Sequence, residues 1–178
     1  MPENQVRNHL TEVAFSSLEL LPVVQDGVAR AGFTHCTPIQ ALTLPLALKG
    51  RDVAGQAQTG TGKTAAFLLV IFQRLLQQQE AEPARHPTAL VLAPTREVDL
   101  QSHTDALLLG GETGLRFGLA YGGNDYEKQR TTLEQGIDVL IGTAGRIIAY
   151  FKLDVFNLKS IDVMVLDEAD RMFVLGFI

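Results

Sequence analysis

Short apolar runs containing β-branched residues alternate along this chain with longer stretches whose apolar positions recur at helical spacing. The short runs predict strands over 53–56, 89–93, 116–121, 138–142 and 163–167, and the longer ones predict helices over 64–77, 97–109, 124–135 and 144–151. Two further helices are expected ahead of the first strand, over 22–31 and 38–48. Pro38, which has no N–H to leave unsatisfied, suits a first helical position. Residues 77–87 are polar and bounded by proline, the pattern of a surface loop. Strands that alternate with helices in this way form an α/β fold, an open parallel sheet with helices on both faces.

Bulk properties narrow the picture. At 178 residues the chain suits one domain with a sizeable core, and 46% apolar with 20% charged residues is a globular composition. The formal charge is -5, so a polyanionic partner must be held by a local patch rather than by overall attraction. One cysteine, Cys36, rules out an internal disulfide framework and reads as a small space-filler in a reducing compartment. The longest apolar run, residues 65–72, is far too short to span a bilayer, and the first residues show no signal-peptide pattern. A soluble, cytoplasmic protein is expected, with no membrane partner.

Chemistry concentrates where the predicted strands end. After the first comes Ala57-Gln58-Thr59-Gly60-Thr61-Gly62-Lys63-Thr64, a small-residue turn leading into a helix. Glycines let such a turn fold tightly around an anion, and the positive helix N-terminus adds to the attraction. Lys63 is expected to reach the β- and γ-phosphates of a nucleotide and the Thr64 hydroxyl to ligate Mg²⁺. The strict pattern has Gly where this chain has Ala57, a difference of one methyl group. After the last strand comes Asp167-Glu168-Ala169-Asp170. A carboxylate at the end of a buried strand is a suitable ligand for a hard cation that keeps several waters, so Asp167 is expected at the metal. Glu168 is then placed to orient or deprotonate an attacking water. Pro94-Thr95-Arg96, Gly122-Gly123 and Thr143 follow the three strands between, so one edge of the sheet is expected to carry the ligands.

As an ordered set these motifs resemble the N-terminal RecA-like domain of a DEAD-box RNA helicase, from about Phe15 to the last residue. Within the family the similarity is greatest to a bacterial group that works with RNA-degrading machinery. Gly32-Phe33-Thr34-His35-Cys36-Thr37-Pro38-Ile39-Gln40 resembles the family's adenine-reading element, with Phe15 as its upstream aromatic. The resemblance implies ATP and Mg²⁺ as cofactors, with Phe15, Phe33, Thr37, Gln40 and the turn Gln58 to Thr64 contacting the nucleotide. An amide such as Gln40 can accept from adenine N6 while donating to N7, a match guanine lacks. Phe33 is open to two readings, a ring stacked on the base or a hydrophobic staple. Pro94, Thr95, Arg96, Gly122, Gly123, Thr143, Gly145 and Arg146 resemble the family's RNA-contacting elements. Hydroxyls, bare backbone and arginines suit phosphate and ribose without reading bases. Asp170 is assigned to coupling between domains.

The resemblance also implies an organisation. Residues 1–14 are expected to be a flexible tail and 15–49 the adenine-reading element with its leading helices. A second RecA-like domain, with its arginine fingers, and the Ser-Ala-Thr element lie outside the sequence, so the fold is expected to be C-terminally incomplete. Bound nucleotide with negligible turnover is the expected behaviour of these 178 residues alone. Two departures stand out: Ala144 where the family commonly has Pro, and Val98-Asp99 where it has Leu-Ala. Asp99 is expected at the surface, because facing the sheet without a partner would cost several kcal/mol. Competing readings are a P-loop ATPase acting on DNA or on a small molecule, and a nucleotide-dependent protein-interaction module without catalysis.

Overall fold

Strands whose side chains are apolar at consecutive positions must be covered on both faces, and the sheet of this chain is built on two of them. The computed structural model describes residues 10–78, 85–123 and 125–176. The chain divides into two compact units, residues 1–77 with 108–113, and residues 78–107 with 114–178.

The first unit is helical. A 3-10 turn at Phe15–Ser17 precedes α1 (Pro22–Arg30), α2 (Pro38–Ala47) and α3 (Lys63–Gln77). The apolar stripe of α3 buries Leu68, Leu69, Ile71 and Phe72 completely, with Val24 and Val28 of α1 and Leu44 of α2 also in the core. Each such side chain contributes about 1.5–3 kcal/mol on leaving water. Gln73 is buried among them with both ends of its amide satisfied: Oε1 accepts from the Leu21 N–H at 2.8 Å and Nε2 donates to the Glu19 carbonyl at 3.1 Å.

Two expectations change here. Residues 1–9 of the expected tail lie outside the described residues, but Thr11 to Ala14 are tied down. Thr11 N–H donates to the Cys36 carbonyl and Cys36 N–H to the Val13 carbonyl, both at 2.8 Å, and Ala14 bridges His35. Cys36 itself is buried, and burial pushes its thiol pKa up, as expected of a space-filler. No strand forms over 53–56; these residues are exposed and carry no regular structure. Val53 is the one β-branched residue among them and Gly55 has no side chain to pack, so the segment has little intrinsic preference for a ladder.

In the second unit β1 (Ala89–Ala93) leads to α4 (Arg96–Gly110), which belongs here as far as Leu107. Then follow β2 (Phe117–Ala120), α5 (Tyr126–Glu134), β3 (Val139–Thr143), α6 (Ala144–Lys152), β4 (Val163–Leu166) and α7 (Ala169–Val174). Apart from α7, which the apolar pattern did not predict, these elements match their predicted positions to within a residue or two, while 79–84 of the predicted loop lie outside the described residues. The sheet has four strands in the order β2-β3-β1-β4, every pair parallel. β1 and β3, at its centre, are buried at nearly every position, whereas β4 at the edge leaves Met164 and Leu166 exposed. On one face Leu90, Ala120 and Leu140 pack with Leu133, Ile137, Ile147 and Tyr150 from the α5 and α6 regions. No helix among the described residues is long and apolar enough to cross a membrane.

Register aligns the ends of the strands. Ala93 pairs with Thr143, Ala120 with Gly142 and Leu92 with Leu166, so every strand finishes within about one residue of its neighbour. At the opposite end Asp138 clamps Arg116, accepting from its backbone N–H at 2.7 Å, from Nε at 3.1 Å and from Nη2 at 3.0 Å. Gly142 permits the closest approach in the sheet, since a Cβ there would lie 2.2 Å from the Ala120 carbonyl oxygen. Gly142→Ala is therefore expected to cost about 1–3 kcal/mol as β2 is forced away. Gly122→Ala, which would meet nothing within 4 Å, serves as the near-neutral control. Urea unfolding of the two variants checks this, and equal midpoints would contradict the close-approach argument.

Candidate functional site

In the first unit, the predicted phosphate turn and the predicted adenine element are built into one another. Thr37 caps α2 in a reciprocal box: its Oγ1 accepts from the Gln40 N–H at 3.5 Å and Gln40 Oε1 accepts from the Thr37 N–H at 2.9 Å. The remaining donors go to the turn. Thr37 Oγ1 donates to the Thr61 carbonyl at 2.7 Å and Gln40 Nε2 to the Gly62 carbonyl at 3.0 Å. Gly62 sits at φ 86°, a conformation that calls for glycine, and a Cβ there would lie 2.4 Å from Gln40 Nε2 and displace its amide.

The turn holds Lys63 inward. Its ammonium donates to the Ala57 carbonyl and, at 3.0 Å, to that of Gln58, while Thr61 Oγ1 closes the loop onto Gln58 at 2.7 Å. Carbonyl oxygens of the turn face the Lys63 ammonium, a pure donor that seeks several acceptors. Gln58, Thr59 and Gly60 are exposed, and Thr64 is half-buried in the first turn of α3. Phe15 is buried and stacks on Phe33 at 6.1 Å between ring centroids, leaving Phe33 as the partly exposed ring of the pair.

In the second unit, three sequence elements meet. Pro94, Thr95 and Arg96 after β1, Gly122 after β2, and Thr143, Gly145 and Arg146 after β3 line one open cleft of about 490 Å³. Gly123 adjoins it, since its Cβ position lies 3.4 Å from Arg96 Nη1. The parallel register produces this convergence, because loops leaving flush strand ends share one edge. Both arginines rest on aromatic rings. The Arg96 guanidinium lies 4.8 Å from the centre of the Tyr121 ring, and that of Arg146 lies 5.0 Å from Tyr126 and 5.6 Å from Tyr150. These tyrosines were missed in the sequence, although Tyr121 directly precedes the Gly-Gly pair; Tyr126 and Tyr150 carry no motif.

At the end of β4, Asp167 is buried and its N–H donates to the Leu92 carbonyl at 2.8 Å, extending the ladder by one bond. Glu168 turns the chain with φ 49° and ψ 47°, a left-handed conformation that a side chain adopts at some cost. Its carboxylate accepts from Arg171 Nη1 at 2.6 Å, an ion pair one helical turn apart that no sequence signal had singled out. Asp170 is exposed in the first turn of α7.

Asp99 corrects an expectation outright. It is fully buried rather than superficial, and neither carboxyl oxygen has a hydrogen-bond partner. Helical spacing explains the burial, because Asp99 lies on the same stripe of α4 as Ser102 and Ala106, both buried as well. Burial, with the charges of Asp167 and Glu97 adding, raises its pKa from the ordinary 3.8 to about 8. The folded chain therefore keeps a proton that the unfolded chain gives up between those values. Stability from this group is complete below about pH 4 and falls by about 1.4 kcal/mol per pH unit up to the folded-state pKa. Asp99→Ala is expected to resist urea better than the parent chain, with an advantage that widens from about pH 5 to about pH 8. An advantage independent of pH would refute the buried-acid assignment.

The family model of the DEAD/DEAH box helicases matches residues 37–178. An ATP-dependent RNA helicase RhlB from Pasteurella multocida (strain Pm70) is 57% identical over 171 residues, 96% of this chain and 40% of that protein. One of the same name from Yersinia pestis (strain Pestoides F) is 56% identical over 174 residues, 97% of this chain and 41% of that protein. The chain thus spans about 40% of the length of the curated relatives it matches.

Proposed function

Since the chain belongs to the DEAD/DEAH box helicase family, we propose that it forms the ATP-binding half of an ATP-dependent RNA helicase that couples hydrolysis to duplex unwinding or to remodelling of RNA–protein complexes. The observation that carries this reading is the cleft in which three separated sequence elements meet. Its chemistry suits a sugar-phosphate backbone: hydroxyls from Thr95 and Thr143, bare backbone at Gly122 and Gly145, and two guanidinium groups. Nothing in that set reads base edges, so RNA is gripped without regard to sequence. In the cytoplasm, a bacterial RNA-degrading assembly is the partner we assign to the whole protein, on sequence resemblance.

Nucleotide chemistry falls to the other motifs. Lys63 exchanges two loop carbonyls for phosphate oxygens, and Phe33 offers a partly exposed ring to the base. Gln40 reads adenine by giving up bonds it makes to Thr37 and Gly62, so base recognition loosens the tie between α2 and the turn. On sequence resemblance, Thr64 is assigned as a hydroxyl ligand and Asp167 as a carboxylate ligand of Mg²⁺, which would supply charge neutralisation on the phosphates. Glu168 is assigned to the attacking water and Asp170 to coupling with a second RecA-like domain, whose arginines complete the site for turnover.

Single-stranded RNA bound through two arginines is expected to show a shallow salt dependence, with a slope of about -1.4 in log affinity against log salt. Replacing both Arg96 and Arg146 by Ala is expected to weaken RNA binding by tenfold or more at low salt and to flatten that slope, with ATP affinity unchanged. Fluorescence anisotropy across a salt series measures both quantities, and intact affinity in the double variant would count against the cleft as the RNA site. Lys63→Ala is expected to abolish ATP binding and RNA-stimulated turnover in the full-length protein without unfolding it. Equal stimulation of that turnover by DNA and RNA would instead favour an ATPase of broader substrate.

A further inference from the structure

Five arginines among the described residues of the second unit are held in two different ways. Arg116, Arg130 and Arg171 each meet a carboxylate, at 3.0, 2.8 and 2.6 Å respectively. Arg96 and Arg146, the two that line the cleft, make no ion pair among the described residues and lie against tyrosine rings instead, with one Nη1 donor of Arg146 also reaching the Tyr150 hydroxyl at 3.5 Å. The difference matters chemically. A carboxylate takes up the N–H edge of a guanidinium, the same edge that a phosphate needs. An aromatic ring engages the flat face and leaves the in-plane donors free.

The rings are themselves fixed. Tyr150 is fully buried and its hydroxyl donates to the Tyr126 carbonyl at 2.8 Å, while the two rings lie 4.9 Å apart. Tyr121 is nearly buried, and its backbone N–H donates to Gln129 Oε1 at 3.0 Å. Each arginine therefore extends along a surface set by the core, with its preferred direction established before any anion arrives.

We propose that Tyr121, Tyr126 and Tyr150 are positioning residues for RNA, holding Arg96 by its face and Arg146 by its face and by one Nη1 bond to the Tyr150 hydroxyl, so that the remaining donors of both are presented to the phosphates. This rests on the reading of the cleft as the RNA site. Tyr126 is the informative position, since it is only partly buried and supports Arg146 from outside the core.

The test uses the full-length protein and a short fluorescent oligouridine at several salt concentrations. Tyr126→Leu is expected to weaken binding about five- to tenfold, and to lower the salt slope by up to about 0.7 as one phosphate contact is lost. Tyr126→Phe, which keeps the ring, is expected to restore both. Tyr121→Leu repeats the experiment independently through Arg96, with Tyr121→Phe as its rescue, so that failure of one leucine variant to fold still leaves a decisive pair. Arg146→Ala separates the two levels of the reading. If Arg146→Ala and Arg96→Ala leave affinity unchanged, the cleft is not the RNA site. If they weaken binding while the folded leucine variants match the parent chain, the tyrosines have no positioning role. Loss in the phenylalanine variants equal to that in the leucine variants would also overturn the proposal, because the hydroxyl rather than the ring face would then be responsible.

Discussion

Flush parallel pairing between β1 and β3 is the constraint on which the second unit depends. Ala93 stands opposite Thr143, and Ala120 opposite Gly142, so the chain leaves each strand at nearly the same height. A slip of one residue would turn the apolar set of a strand to its other face, and both faces of the central strands are buried. The core thus enforces the register, and the register brings Thr95, Arg96, Gly122, Thr143 and Arg146 to one cleft although dozens of residues separate them. Gly142 is where this economy is tightest, because its missing side chain lets β2 lie against β3.

The first unit follows a different rule, in which polar groups are satisfied before any partner is considered. Gln40 and Thr37 spend their hydrogen bonds on each other and on the turn, and Lys63 spends its charge on loop carbonyls. Nucleotide binding in such an arrangement is an exchange of bonds rather than a gain of them. Net affinity then reflects the difference between phosphate and carbonyl as acceptors for the ammonium, which favours the charged acceptor.

Much of this was legible in the sequence, and the exceptions share a cause. The elements of the second unit other than the short α7 could be read from apolar runs and their spacing, because there the pattern and the burial agree. The motifs ending β1, β2 and β3 could be read because hydroxyl, glycine and arginine have few other reasons to cluster at strand ends. Residues 53–56 misled because the turn after them implied a strand that their own weak β preference does not support. Asp99 misled because the residue type was given more weight than its helical spacing, which places it beside Ser102 and Ala106. Tyr126 and Tyr150 were silent because tyrosine in a helix is ordinarily packing. The support they give Arg146 depends on two helices, α5 and α6, meeting in space.

The buried acid of α4 also makes folding a proton-consuming reaction. Near neutrality an unfolded chain carries Asp99 as the anion, and the folded chain carries it as the neutral acid, so this group takes up a hydrogen ion as the chain folds. The buffer must release that ion. Heat measured on folding will accordingly include the ionisation enthalpy of whatever buffer is chosen, and will differ between phosphate and Tris although the protein's own contacts are identical.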